Sequence, residues 1–399
     1  MKNKDIIGLT TAHVMNTYNR HPVAIVRGKD RRVWDADGRE YLDFTSGLAV
    51  CNLGHCHPRV VSAIKRQAGM LIHISNLYHI GPQAVLARLL TKNSFAGKVF
   101  FCNSGAEANE AAIKLSRKHF SLRGEKRYRV ITMEQSFHGR TFAALAATGQ
   151  RKFQSGFEPL LEKFTYVPFN DVEAVQRAIS GETAAVMVEP IQGEGGVNVP
   201  SDNYLKGLKD VCRKAGVLLI FDEVQVGMGR TGKLFACENY GVAPDIMTLA
   251  KGLAGGVAMG AMLATDEAAA AFTPGTHAST FGGNPLAAAA GVAALKTILE
   301  KNILDNCLKA GEYLFKALGS LREEYGFIRD VRGKGLIIGM EMTPDVKAPD
   351  IVKACLDKGL LINCVGVSTL RFIPALTVKK KEIDEMMGIL REALDCVKA

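Results

Sequence analysis

Three stretches of the chain place a reactive side chain where an apolar run ends. In DIMTLAKGLAGG (245–256), Lys251 follows a strand-like run and is hemmed in by Gly252, Gly255 and Gly256. A lysine withdrawn from water favours its neutral amine, which is a nucleophile toward an aldehyde and afterwards a proton shuttle. The plain alternative is a lysine that snorkels from a strand end. In VLLIFDEVQVG (217–227), Asp222 closes an apolar run at the carboxyl edge, where open α/β sheets place their ligands. A carboxylate there needs a partner, and the protonated ring nitrogen of pyridoxal phosphate is one, because the ion pair keeps the ring an electron sink. A metal held by Asp222 and Glu223 competes with this reading, but consecutive strand residues point to opposite faces and do not easily chelate one ion.

The third stretch, KVFFCNSGAEANEAAIKLSR (98–117), runs from a buried strand through a turn into a helix with apolar residues at 108, 111, 112 and 115. Backbone N–H groups of Gly105 and Ala106 are unpaired at such a helix start, and with the Ser104 hydroxyl they suit a phosphate. Asn-Ser-Gly is equally an ordinary N-cap turn. Two further stretches add shape and charge: QSFHGRT (135–141), where Phe137 can cover a flat heterocycle and Arg140 stands beside it, and STFGGNP (279–285). Arg140 and Arg371, the latter in STLRFIPAL, are candidates for bidentate carboxylate recognition or are solvated surface. Gly227–Gly232 (GMGRTG) satisfies a dinucleotide fingerprint, but the aromatic KLFACENYG that follows is not amphipathic at helical spacing. His55 and His57 in GHCHP are explained by a turn before a Pro-started helix, so no metal site is expected.

Residues 20–44 alternate short β-type runs with the turn signals GKD and ADG and read as an antiparallel meander. After Pro58, apolar runs at 98–101, 129–133, 184–190, 217–224 and 245–250 alternate with helical stretches, the pattern of a parallel sheet with crossovers. Asn284 to about Tyr325 is helical with a break near 302–305, then strand-like 327–342 and a final helix over 379–397 follow. The expected organisation is an N-terminal segment over 1–50, a large α/β domain over 51–290 and a smaller α+β domain over 291–399.

At 399 residues and 47% apolar composition the chain can bury a sizeable core. No apolar stretch reaches the roughly 18 to 20 residues of a membrane span and the start lacks a signal peptide's hydrophobic segment, so a cytoplasmic protein is expected. The nine cysteines form no close Cys-x-x-Cys pair, as expected of reduced structural thiols. A net charge of +10 suits anionic ligands, but Lys and Arg are dispersed and nucleic acid is not an expected partner.

The ordered set NSGAEANEAAIKLSR, SFHGRT, VEPIQGEGG, FDEVQVGMGRTG, TLAKGL and STFGGNP resembles the class III (ornithine-type) aminotransferases, and the likeness runs from about Tyr18 to Arg371. It implies a fold type I α/β transferase that uses pyridoxal 5′-phosphate, with a large, mostly parallel-sheet domain and a smaller α+β domain. Carried over by residue, the resemblance assigns the cofactor to Ser104, Gly105, Ala106, Phe137, His138, Asp222, Val224, Gln225 and Lys251. Catalysis falls to Lys251 and Asp222. Thr280 would reach the cofactor of a neighbouring subunit, which implies a homodimer with shared sites.

Within the class, TYNRHPVAIVRGK, DGREYLDFTSGLAV and STFGGNPLAAAAG look most like acetylornithine aminotransferases of arginine biosynthesis. The likeness implies transfer of the δ-amino group of acetylornithine to 2-oxoglutarate. Tyr18, Arg140 and Ser279 are then substrate-binding, Arg371 clasps the α-carboxylate of 2-oxoglutarate or glutamate, and Glu189 resembles the carboxylate that neutralises Arg371. SNLYHIGPQ (75–83) departs from the family, which commonly has an aromatic and an acidic residue before Pro-Gln. Succinylornithine, succinyldiaminopimelate, ornithine and 4-aminobutyrate are the alternative substrates.

Overall fold

The apolar runs assemble into a seven-stranded sheet in the computed structural model, which describes residues 1–300 and 302–398. Across the sheet the strands are Lys98–Cys102, Gly260–Ala264, Ile246–Leu249, Leu218–Asp222, Thr183–Val188, Arg129–Met133 and Phe164–Val167. All run parallel except Gly260–Ala264, which pairs antiparallel with both its neighbours. Every residue of Thr183–Val188 is buried, as expected of a central strand covered by helices on both faces. Gly260–Ala264 (GAMLA) escapes a sequence reading because it has no β-branched residue and no alternation; flanking strands impose its conformation.

The meander forms as expected, from Ile25–Lys29, Arg32–Asp35 and Glu40–Asp43. A fourth strand, Leu360–Leu361, adds parallel to it with Leu360 opposite Leu42, so the N-terminal segment shares a sheet with the C-terminal part of the chain. A third sheet is antiparallel and runs in the order Ile328–Lys334, Ile337–Met342, Thr369–Phe372, Asn363–Val365. It carries Arg371, which lies opposite Gly339 in the ladder. The long helical region is two helices, Pro285–Glu300 and Ile303–Glu324. Asn302 between them has φ 53°, a left-handed conformation that ends helical continuity. No helix among the described residues is long and apolar enough to cross a membrane.

The GMGRTG segment serves the fold. Gly229 and Gly232 turn at φ 92° and 84°, and Arg230 between them is wholly buried. Its guanidinium donates to the carbonyl oxygens of Leu336 (2.9 Å) and Pro374 and to Asn52 Oδ1 (2.6 Å), while Asn52 Nδ2 donates to Met228 O at 2.9 Å. One cation thus ties together four distant stretches of chain without a carboxylate, and burial lowers its pKa to about 10. Arg230→Met should destabilise the protein by about 3 kcal/mol or more, because the freed buried oxygens lose their donor. A chemical-denaturation midpoint equal to that of the unsubstituted protein would refute this role.

Candidate active site

Four parallel strands end on one rim of the large sheet. Lys98–Cys102 runs into Ser104 and the helix Gly105–Ser121; Thr183–Val188 runs into Glu189; Leu218–Asp222 ends on Asp222; and Ile246–Leu249 ends two residues before Lys251. Together they wall a cavity of about 460 Å³, within the range of small-molecule sites. Ser104, Gly105, Ala106, Phe137, His138, Arg140, Glu189, Asp222, Val224, Gln225 and Lys251 all line it.

At one end Ser104 caps the helix, its Oγ accepting from Glu107 N at 3.1 Å. Glu107 reaches back with Oε2 to Asn103 N at 2.8 Å, completing a reciprocal cap. Gly105 and Ala106, the first two helical residues, have no intrahelical acceptor for their N–H groups, which leaves an anion cradle. A Cβ on Gly105 would stand 2.7 Å from Val224 Cγ1, so the cradle floor admits only glycine. Gly139, with φ 137°, has the same need, because its Cβ would meet that of Ala106 at 2.7 Å.

Asp222 is held from three directions. Its Oδ2 accepts from Asn109 Nδ2 and faces His138 Nδ1, both at 2.8 Å, and its Oδ1 accepts from Val224 N at 3.0 Å. Thr248 Oγ1 donates to Asn109 Oδ1 at 2.7 Å and so fixes that amide's orientation. Glu223 points to the other face, as strand alternation requires, and accepts from Ala236 N and Cys237 N at 2.6 and 2.8 Å.

Lys251 opens a short 3₁₀ turn at φ 43°, a conformation that a side-chain-bearing residue adopts at a cost. Burial lowers its pKa; Glu194, Asp222 and Glu189 oppose that shift, and Arg371 reinforces it. Arg371 is 1% exposed and donates from one nitrogen to Glu194 Oε1 at 2.6 Å and Gln225 Oε1 at 3.0 Å. Gln225 Nε2 also donates to Glu194 Oε1, at 3.1 Å. Burial alone would raise the Glu194 pKa, but Arg371 and Lys251 outweigh it and hold the carboxyl at about 2.

This geometry corrects one assignment, since Glu194 and not Glu189 neutralises Arg371. Glu189 accepts instead from Phe137 N at 3.0 Å and Gly193 N at 3.3 Å, and burial pushes it up to about 7. Four residues lie between the two on a loop that folds back, which turns Glu194 toward Arg371 and leaves Glu189 under the Phe137 loop. Glu194 was missed although it stands between glycines in QGEGG; Asn109 was read only as part of a helix.

The remaining predicted residues lie outside this cavity. Ser279 Oγ accepts from Asn103 Nδ2 at 3.3 Å, next to the helix cap, and Thr280 follows it on a loop that does not line the cavity of its own chain. Tyr18 is 70% exposed and lines a separate groove with Thr45, Leu48 and Asn363. That groove meets the site through Asn363 Oδ1, which accepts from Arg371 Nε at 3.4 Å.

A phosphorylated, flat heterocyclic aldehyde fits these walls. Spare N–H groups meet the anion, Phe137 offers a ring face, Asp222 suits a protonated ring nitrogen, and a desolvated amine stands at Lys251. The buried His138 Nε2 has no protein partner, as expected of a wall built to meet a further group.

Comparison with known proteins agrees with this chemistry. Residues 14–394 match the family described as Aminotransferase class-III. The chain is similar to the acetylornithine aminotransferase of Caldanaerobacter subterraneus subsp. tengcongensis, 53% identical over 96% of this chain and 97% of the relative. It is 49% identical to that of Methanocaldococcus jannaschii over the full length of both. Among solved structures, ornithine aminotransferase from Toxoplasma gondii superposes with TM-score 0.95 at 34% identity, over 100% of this chain and 96% of that one. N-acetylornithine aminotransferase from Stenotrophomonas maltophilia gives 0.84 at 39% identity, over 98% of each. With the helix-start cradle, the carboxylate and the buried lysine gathered on one sheet rim, the chain belongs to the class III aminotransferases and is a pyridoxal-phosphate-dependent transaminase.

Proposed function

We propose that the enzyme moves the terminal amino group of N2-acetylornithine to 2-oxoglutarate, the transamination of arginine biosynthesis. The observation that carries this reading is a pair of unlike arginines, Arg140 on the wall of the Lys251 cavity and Arg371 behind two of its lining residues, Glu194 and Gln225. Arg140 stands exposed on the wall, and its guanidinium makes no hydrogen bond or ion pair among the described residues. Arg371 is buried and spent on Glu194 and Gln225. One recognises the carboxylate of the amine donor; the other is released only when the α-carboxylate of 2-oxoglutarate replaces Glu194. Exchanging one carboxylate for another keeps the buried guanidinium paired in both half-reactions, which avoids the several kcal/mol or so of a lone buried charge. The names of the curated relatives support the same donor.

In this reading Gly105 and Ala106 N–H with Ser104 hold the cofactor phosphate, Phe137 covers its ring, and Val224 packs under the cradle. Asp222, braced by Asn109 and His138, would pair with the ring nitrogen; Gln225 would meet the phenolic oxygen; and Lys251 would hold the aldehyde carbon until the substrate amine takes its place and frees Nζ. When bound, pyridoxal phosphate supplies an electron sink for the carbon that bears the amine. Lys251 Nζ, favoured as a neutral amine by burial, takes the proton from that carbon and returns one on the other side of the transfer.

The second half of the site comes from a second copy of the chain. Asn76 Nδ2 donates to the carbonyls of Ser279 and Gly282, both at 3.0 Å, and joins the Thr280 loop to a segment that exposes Met70 (72%), Leu77 (87%) and Tyr78 (64%). Phe281 adds a further exposed apolar ring. Covering this face by the partner brings Thr280 to the neighbour's phosphate cradle and shields the apolar surface. Tyr18 and Ser279 complete the donor side, and Glu189 shapes the wall beneath Phe137.

Acetylornithine, succinylornithine, succinyldiaminopimelate, ornithine and 4-aminobutyrate, each mixed separately with the cofactor-loaded enzyme, should bleach its visible absorbance band at different rates. Acetylornithine should be fastest; a faster rate with another amine would transfer the assignment to that donor. Lys251→Ala should cut turnover by about a thousandfold or more, in line with loss of a positioned general base, and wild-type turnover would remove the lysine from the mechanism. Arg371→Ala should slow the half-reaction with 2-oxoglutarate at least about tenfold more than that with acetylornithine, and equal losses would count against the exchange of carboxylates.

A further inference from the structure

The guanidinium of Arg140 is aimed without any polar partner, so something other than hydrogen bonding holds it. Its carbon lies 4.1 Å from the centre of the Phe153 ring and 5.7 Å from that of Phe137. The two rings meet edge to face, 5.6 Å apart at 79°. Phe153 therefore touches both the ring that covers the cofactor face and the arginine assigned to the donor's carboxylate. A guanidinium stacked on an aromatic face keeps its N–H groups free in its own plane, so the stack orients the arginine without using donors that a carboxylate needs.

The platform itself is anchored on both sides. Phe153 sits on the single turn Arg151–Gln154. Before it, Gln150 Nε2 donates to the carbonyls of Gln135 and Ser136, both at 3.1 Å, the residues that lead into Phe137. After it, Gln154 Nε2 donates to Thr148 O at 2.8 Å and Tyr166 Oη at 2.9 Å. Gln150 thus ties the turn to the loop that carries Phe137 and Arg140, and Gln154 fixes its other end against Thr148 and the strand Phe164–Val167.

We propose that Phe153 is a positioning residue that sets the affinity for the carboxylate of the amine donor by holding Arg140 flat and pointed into the cavity. The inference rests on the assignment of Arg140 to that carboxylate. Lys152 Nζ also lies over the Phe153 ring, at 4.9 Å, and must be separated from Arg140 in any test.

The test uses the cofactor-loaded enzyme and two measurements. Calorimetry reads binding of N2-acetylnorvaline, which keeps the acyl group and α-carboxylate but has no terminal amine to react. Steady-state kinetics compares acetylornithine with N-acetylputrescine, its counterpart without the carboxylate. Phe153→Leu should weaken acetylnorvaline binding and lower kcat/KM for acetylornithine by about five- to twentyfold, while N-acetylputrescine stays within about twofold. Phe153→Tyr should restore both, and Lys152→Ala should behave as the unsubstituted enzyme. Phe153→Met, which keeps most of the volume without a π face, carries the test where the leucine variant does not fold. Unchanged acetylnorvaline binding in Phe153→Leu alongside lost binding in Arg140→Ala overturns the inference and leaves the role of Arg140 standing. Unchanged binding in Arg140→Ala overturns both, and a Lys152→Ala variant that reproduces the leucine loss overturns the route through Arg140.

Discussion

The constraint on which this molecule turns is the burial of one amine among charges that do not cancel it outright. Lys251 Nζ sits where desolvation disfavours its ammonium form, while Glu194, Asp222 and Glu189 pull the other way and Arg371 pushes with burial. Were the carboxylates unpaired, they would hold the lysine charged and inert as a nucleophile. Each is instead committed elsewhere: Asp222 to Asn109 and His138, Glu194 to Arg371 and Gln225, Glu189 to two backbone N–H groups. The polar network around the site is what keeps the amine available.

That network explains why a second sheet must dock beside the large one. The large parallel sheet delivers Asp222, Glu189 and Lys251 to one edge, but Arg371 stands on the antiparallel sheet formed by the last part of the chain. Arg371 can reach Glu194 only if that sheet is docked rigidly, and the buried Arg230 with Asn52 is one of the pins that docks it. A cation with no carboxylate beside it holds Leu336, just before Ile337–Met342, and Pro374, just after Thr369–Phe372, so it grips two neighbouring strands of that sheet. A segment that resembles a nucleotide fingerprint thus helps to set the distance between the sheet edge that carries Asp222 and the strand that carries Arg371.

In the proposed reading, recognition takes two physical styles, one at the cavity wall and one buried behind it. Arg371 is buried and always paired, so its ligands must exchange; Arg140 is exposed, free of polar partners and oriented by aromatic faces. The first style suits a substrate whose charge must be matched or replaced inside a low-dielectric pocket. The second suits a carboxylate met at the rim, where water can leave and return at little cost. The proposed alternation between a dicarboxylate and an amine would use both.

Much of this was legible in the residues alone. The meander, five of the seven strands of the large sheet, the helix break near Asn302 and the capped helix start at Ser104 follow from hydrophobic period, turn residues and capping chemistry, all of which act over a few residues. Asp222 and Lys251 were visible because each ends an apolar run, and the ends of parallel strands must meet at one edge. What stayed hidden depends on contacts far apart in the chain. Gly260–Ala264 is a strand because its neighbours pair with it; Leu360–Leu361 joins a sheet begun some 300 residues earlier. The choice of Glu194 over Glu189 as partner of Arg371 depends on how a glycine-rich loop folds back against a strand 177 positions away. Local sequence determines which groups are reactive and which elements carry them, because propensity and capping are short-range; only the tertiary structure decides which charge faces which, because pairing is set by the packing of whole sheets.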